Sequence, residues 1–438
     1  MSSRKDCATV PGVVPGHGSR ATRSGACLPL GMIASGVAVI PARVADGEIL
    51  QPTMRASLVV FLLMVSGSSV SAQALSQPAA QAPPTLDEVR RDMGIPSRDL
   101  ELRGQRDSIG FAYRADQMAR VWDLAASPPA PDSLGELPAP GVAAVICPHD
   151  DYTYAGRVYR RVLPLLTART VVLIGVFHRY RRFGEHDRLV FDPYRAWRTP
   201  DGPVMVSTLR EELLARLPRE DYVQDAAMHD SEHSLEALAY WLKHIRPDVE
   251  IVPVIVPAAK FERLQSLADH LGAVLAGAMQ RLGWRLGREV AIAISTDGVH
   301  YGPDFKHTPY GDGGIRAYER AVEMDRSLLR GPLSGPLTTA RVRSLYATFV
   351  DPGHPDQYRL TWCGRFAVPL GLLLLERLAQ GGEAAAPVGH PVAYATSVGW
   401  PGLPVQEIGL GATAPASLYH FVGYPAAAFT LKQAGRAR

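Results

Sequence analysis

Apolar strands alternating with amphipathic helices predict an α/β protein, a three-layer α/β/α sandwich with a largely parallel sheet and a single main domain. Three observations carry this. The runs Gly141–Cys147, Thr170–Val176, Val249–Val256 and Val290–Ile294 are apolar without alternation, as strands covered on both faces are. Segments of helical period separate them. Three of these runs also end in polar, metal-competent residues, where open α/β sheets place their ligands.

Taken in order, residues 1–53 are rich in Gly, Ala, Val and Arg and carry no helical or strand period. Met54-Arg55, the apolar run Ala56–Val65 and the small residues Ser66–Ala74 then follow the succession of a secretory signal. Cleavage is expected after Ala72 or Ala74, and the run is too short for a stable membrane span. The expectation is an over-extended or disordered leader over 1–53, a signal peptide over 54–72, and export to the periplasm or medium. If Met54 does not start a signal, the protein stays cytoplasmic. Residues 73–137 read as a linker and N-terminal strap, with Pro-rich breaks, 138–424 as the main domain and 425–438 as a C-terminal tail.

Within the main domain, Gly141–Cys147 is the first strand and a helix begins near Ala155. Thr170–Val176 and Leu189–Phe191 are strands; Leu209–Leu217 and Ser234–Ile245 are helical. Val249–Val256 is a strand, Leu264–Leu282 a long helix and Val290–Ile294 a buried strand. Helices near Ile315–Leu329 and from Cys363 to about Leu378 precede a late strand, Val392–Thr396.

The chain has 438 residues, 47% hydrophobic and 20% charged, enough for a large core. Residues 1–72 carry six Lys/Arg and three Asp/Glu, leaving 40 of each sign in the remainder. With a neutral folded part, nothing in the charge argues for nucleic acid or anionic membrane, and neither is expected as a partner. A small-molecule substrate is expected instead; a protein partner stays unidentified.

STDGVHYG (295–302) follows its strand directly and sets Asp297 and His300 just beyond the strand end. CPHDDYTYAG (147–156) does the same for His149, with Asp150 and Asp151 able to orient the imidazole, bind a second cation or cap a helix. GVFHRY (175–180) repeats it for His178, followed by Arg179, Arg181 and Arg182, which suit either an anionic substrate or a solvated loop. HDSEHSLE (229–236) contains H-x-x-E-H, which on one helix face would be an inverted zinc-peptidase motif through His229 and His233. The alternative makes Ser231 an N-cap, with Glu232 and His233 in a first turn aimed at the site. TWCGR (361–365) puts Cys363 at a helix N-terminus, where the dipole favours a metal-binding thiolate. In an exported chain, Cys147 and Cys363 could alternatively form a disulfide. Phosphate-binding loops, dinucleotide glycine patterns and the serine-hydrolase elbow are absent from the sequence.

PHDDYTYAG at 148–156, His178, EHSLE at 232–236, STDGVHYG at 295–302, TWCGR at 361–365 and YATS at 394–397, in this order, resemble the Memo family, also named AmmeMemoRadiSam system protein B. That family is similar in fold to class III extradiol dioxygenases. The resemblance implies His149, His178 and Cys363 as metal ligands, with Asp297 and His300 as a neighbouring polar pair; His300 then suits a general acid/base oriented by Asp297, and the first-turn reading of His233 adds it as a catalytic candidate. It implies iron, with copper or zinc as alternatives, and metal-dependent oxidation of a small molecule. A zinc-dependent hydrolase and a non-enzymatic metal- or ligand-binding module remain the other readings. Two departures stand out: Asp150-Asp151 replaces the family's usual Ala-Gly, and Ala237–Tyr240 its Met-His-Leu-Pro.

Overall fold

The structure is a computed structural model that describes residues 85–93, 99–107, 109–128, 130–380 and 384–433. The expected leader and signal peptide lie outside the described residues. Residues from Ser76 onward form one compact unit.

The strands that position the site are β1 (Ala144–Cys147), β2 (Thr170–Val176), β3 (Val204–Val206), β4 (Glu250–Val256), β5 (Val290–Ser295), β6 (Ala384–Thr396) and β7 (Phe421–Gln433). Hydrogen-bonded neighbours run β3-β4-β2-β5-β1-β7-β6. The first five are mutually parallel, while β7 and β6 close one side antiparallel. β1, β2 and β5 are buried along their whole length. That burial is why their sequences show apolar runs rather than alternation.

The main helices are α1 (Leu86–Met93), α2 (Ala115–Ala126), α3 (Tyr152–Val162), α4 (Glu236–Ile245), α5 (Phe261–Leu282), α6 (Ile315–Arg330), α7 (Thr339–Phe349) and α8 (Ala367–Gln380). They cover both sheet faces. Ile294 of β5 pairs with Ile174 of β2 and packs against Gly371 of α8, where a Cβ would stand 2.6 Å from it. Gly175, next along β2 and therefore on the opposite face, meets Leu235 and Ser234 at the start of α4. The α/β/α sandwich is what the structure shows.

Three stretches differ from expectation. The expected linker and strap carry α1, α2 and the strand Leu102–Arg103, which joins the sheet through Ala196–Trp197. The expected tail from residue 425 is instead β-structure through Gln433, paired with β6 and β1, with Ala426–Phe429 fully buried. Alanines and Pro425 hide this strand, since neither favours β-structure. The last helix begins at Ala367, later than Cys363.

A buried arginine ties the strap down. Arg103 is 1% exposed, stacks 4.3 Å above the Trp197 ring and donates to Glu236 Oε1 (2.5 Å) and to the carbonyls of His229 (2.8 Å) and Glu232 (2.6 Å). Removing one member of such a pair leaves the other charged and dry. Arg103→Met should therefore lower unfolding free energy by about 3–5 kcal/mol, read by urea denaturation of the purified chain.

Candidate metal centre

β1, β2 and β5 are adjacent and parallel, so their carboxyl ends open at one edge of the sheet. His149, His178 and Asp297 each stand two residues beyond their strand. The STDGVHYG loop turns back across this edge. The Gly298 N–H donates to the Gly423 carbonyl at 2.7 Å, and a Cβ at Gly298 would fall 2.5 Å from Asp325 Oδ2. Cys363 arrives on the loop before α8. The backbone of Gly364 lies against Thr296, where a Cβ would meet the Thr296 side chain at 2.4 Å.

Two groups of potential ligand atoms result, each spanning no more than 4.8 Å: His149, His178 and His233, and His149, Asp297 and Cys363. They share His149. Among the described residues, no such group holds His178 and Cys363 together. The three imidazole rings stand 5.0–5.3 Å apart, centroid to centroid. His149 Nε2 lies 3.3 Å from Asp297 Oδ2 and 3.7 Å from Cys363 Sγ.

Each ring has a polar partner behind Nδ1, hydrogen-bonded in His149 and His178 and ion-paired in His233. Ser295 Oγ spends its proton on the Ser234 carbonyl at 2.5 Å, so at 2.7 Å it accepts the His149 Nδ1–H. Glu232 Oε1 accepts from His178 Nδ1 at 2.9 Å. Asp107 Oδ2 forms an ion pair with His233 Nδ1 at 2.8 Å. Nε2 is the nitrogen left to face the pocket in all three, as in metal-ligating histidines. His300 follows the same rule, its Nδ1 lying 3.1 and 3.0 Å from the Gly298 and Thr361 carbonyls. It belongs to neither ligand group.

The charges divide the pocket. Burial, then the neighbouring His233 and His178, hold His149 well below the usual imidazole range, so it presents a lone pair. Burial also pushes His300 down to about 4. Burial opposes charge on His233, but Asp107 and then Glu232 outweigh it and raise that imidazole to about 9. A cation bound there must displace the Nε2 proton. Glu232 is desolvated yet held well below its usual value by His178 and His233. Burial and the nearby Asp150 push Asp297 up, while its Oδ1 accepts the His149 backbone N–H at 2.9 Å. His149 is 2% exposed at its side chain, His178 34% and His233 29%, so one side of the triad opens to solvent.

Several sequence expectations change in detail. Cys363 precedes α8 instead of capping it, and burial followed by Asp297 raises its thiol, although the Asp297 N–H points at Sγ from 3.0 Å. A thiolate there would need a bound cation to offset this burial, since among the described residues no helix N-terminus faces it. Cys147 and Cys363 are both free and buried. Ser231 is the C-cap of the short helix Ala226–Asp230, not an N-cap, and His233 lies in the loop before α4. His229 turns away, its Nε2 bonded to the Val190 carbonyl at 2.9 Å, so H-x-x-E-H does not form one helical face. Asp150 Oδ2 accepts from Tyr424 at 2.7 Å, and Asp151 Oδ2 accepts from Thr413. Arg181 pairs with Asp356 at the surface.

Asp107 and Ser295 were missed as site residues. Ser295 opens STDGVHYG, just past the expected strand Val290–Ile294, whereas the structure extends that strand to include it. Asp107 had no signal, because its segment carries neither period nor motif.

A family model described as Memo-like protein matches residues 127–406. The chain is 31% identical over 164 residues to a MEMO1 family protein of Archaeoglobus fulgidus, covering 37% of this chain and 57% of that one. It is 27% identical over 192 residues to a MEMO1 family protein of Thermococcus onnurineus, covering 42% and 62%. A MEMO1 family protein of Aquifex aeolicus is 29% identical over 164 residues, covering 37% and 40%. In these matches the chain spans less than two thirds of each relative's length.

Burial holds His229 down at about 3. The unfolded chain therefore binds a proton there first, and stability falls as pH drops from about 6.5 towards 3. Replacing it, as His229→Gln, should flatten this part of the pH–stability curve relative to the parent, as read by urea midpoints at pH 7, 5.5 and 4.5.

Proposed function

The chain belongs to the Memo family, and from that premise we propose that it is a metalloprotein using iron to oxidise a small molecule. His149, His178 and Cys363 are the proposed ligands, with His233 beside them. The observation that carries the reading is the convergence of ligand atoms within 4.8 Å in two groups that share His149, with His149 and His178 hydrogen-bonded behind at Nδ1 and His233 ion-paired there. Two imidazoles and a thiolate also suit copper or zinc.

A bound iron ion would supply the one-electron chemistry with oxygen as the oxidant. The chain's own residues do the rest. His149 and His178 offer neutral nitrogen donors, and Ser295 and Glu232 keep their rings from turning. His300, neutral at ordinary pH, can take a proton from a substrate hydroxyl at Nε2, while the Gly298 and Thr361 carbonyls hold Nδ1. Asp297 braces the β1 and β5 ends by holding the His149 N–H. The solvent-facing sides of His178 and His233 leave an approach for substrate.

One observation favours a second reading. Three histidines within reach of one point are also the donor set of water-activating zinc, which would make this a hydrolase with His300 or Glu232 as base. The full chain purified without oxygen and analysed for bound metals separates the two. Near one iron per chain, followed by oxygen uptake with a phenolic substrate panel, supports the oxidative reading. Zinc with hydrolytic turnover replaces it. The double variant His149→Ala/Cys363→Ser should lose the metal; stoichiometric metal in that variant would remove the site.

Export is a further part of the proposal, supported by the Met54–Ala74 succession. No described helix is long and apolar enough to cross a membrane. Expressed in an exporting host, the secreted material should begin at Gln73 or Leu75 by N-terminal sequencing; protein retained uncleaved in the cytoplasm would contradict this.

A further inference from the structure

We propose that the N-terminal strap is a working part of the pocket, with Asp107 positioning His233 so that its Nε2 joins His149 and His178 as a donor to a bound cation. This rests on the metal reading above. The strap lies ahead of the family-matched span, which begins at residue 127, so this part of the pocket is built by sequence outside that match.

Arg103 reaches under the loop that carries His233 and bonds to the carbonyls of His229 and Glu232. The Glu236 carboxylate, at the start of α4, then takes the backbone N–H groups of Arg106 (2.8 Å) and Asp107 (3.1 Å) on its two oxygens. The main chain at Asp107 is thus fixed independently of its own side chain. One oxygen of that side chain accepts from Arg106 at 2.7 Å, and the other meets His233 Nδ1 at 2.8 Å. Farther along, the Gly110 carbonyl accepts the Tyr152 N–H at 3.1 Å. Gly110 has φ +80°, and a Cβ there would stand 2.1 Å from Asp151 Oδ1. One short segment therefore bridges the loop of His233 to the loop of His149.

Glu232 stands behind His178 Nδ1 as a hydrogen-bond acceptor, and Asp107 stands behind His233 Nδ1 as an ion-pair partner. They also differ in origin, since Glu232 comes from the family-matched domain and Asp107 from the strap. Without that carboxylate, His233 Nδ1 would face water and the ring could turn its nitrogens out of register with the other two.

Cobalt(II) titration of the full chain, followed by visible absorption, tests this. Four variants are compared with the parent: Asp107→Ala, Asp107→Asn, His233→Ala and the Ala double variant. Loss of an outer carboxylate typically weakens metal binding about 10- to 100-fold. Asp107→Ala should show a loss of that order with shifted cobalt d–d bands, and Asp107→Asn, whose amide oxygen can still accept, a smaller one. The double variant should bind no more weakly than His233→Ala alone. Parent-like affinity and bands in Asp107→Ala, or additive losses in the double variant, would overturn the inference while leaving the metal site standing. If Asp107→Ala does not fold, parent-like binding by Asp107→Asn overturns it equally. A parent that binds no cobalt removes the metal reading and this inference together.

Discussion

Imidazoles crowded into one small volume repel one another once charged, and left alone they rotate toward water. The pocket sets a polar group against each Nδ1: Ser295 and Glu232 hydrogen-bond to His149 and His178, and Asp107 ion-pairs with His233. A hydroxyl suffices for the most buried ring, where a full charge would be costly. Carboxylates serve the two rings nearer solvent. The rest of the architecture can be read as the means of keeping these three groups in place.

Parallel strand order does the first part of that work. β2, β5 and β1 run side by side, so donors two residues past each strand end arrive together with little loop to order. Close backbone approach does the second. Gly298 against Gly423 and Gly364 against Thr296 bring loops nearer than side chains would allow. Asp325 joins these pieces: it accepts from the Val299 N–H, Trp362 Nε1 and Tyr394 OH, linking the STDGVHYG loop, the Cys363 loop and β6. Burial raises this carboxyl to about 6, against the pull of those donors.

The central strands were legible because burial on both faces writes itself as an uninterrupted apolar run. Thr170–Val176 and Leu189–Phe191 have the bounds expected of them. His149, His178, Asp297 and Cys363 were legible as a set because strand ends and short motifs are local signals. What joins them is not local. That His178 and His233 both join His149, and that Cys363 sides with Asp297, depends on loop paths that no spacing encodes. His233 invited a helical reading because Glu236–Ile245 is strongly periodic and the preceding residues look like its first turn; Glu232 instead accepts the backbone N–H groups of His233 and Ser234 and holds them as a loop. β7 was hidden by its alanines, and Asp107 by a segment whose order comes from Arg103 and Glu236 rather than from its own propensity.

Which side-chain atoms converge on one point decides what the pocket can bind. X-ray absorption at the metal edge of the loaded protein addresses that directly. The prediction is a first shell of imidazole nitrogens, with multiple-scattering features from more than one ring, and one sulfur at about 2.3 Å. A shell of oxygens alone, without imidazole or sulfur, would contradict it.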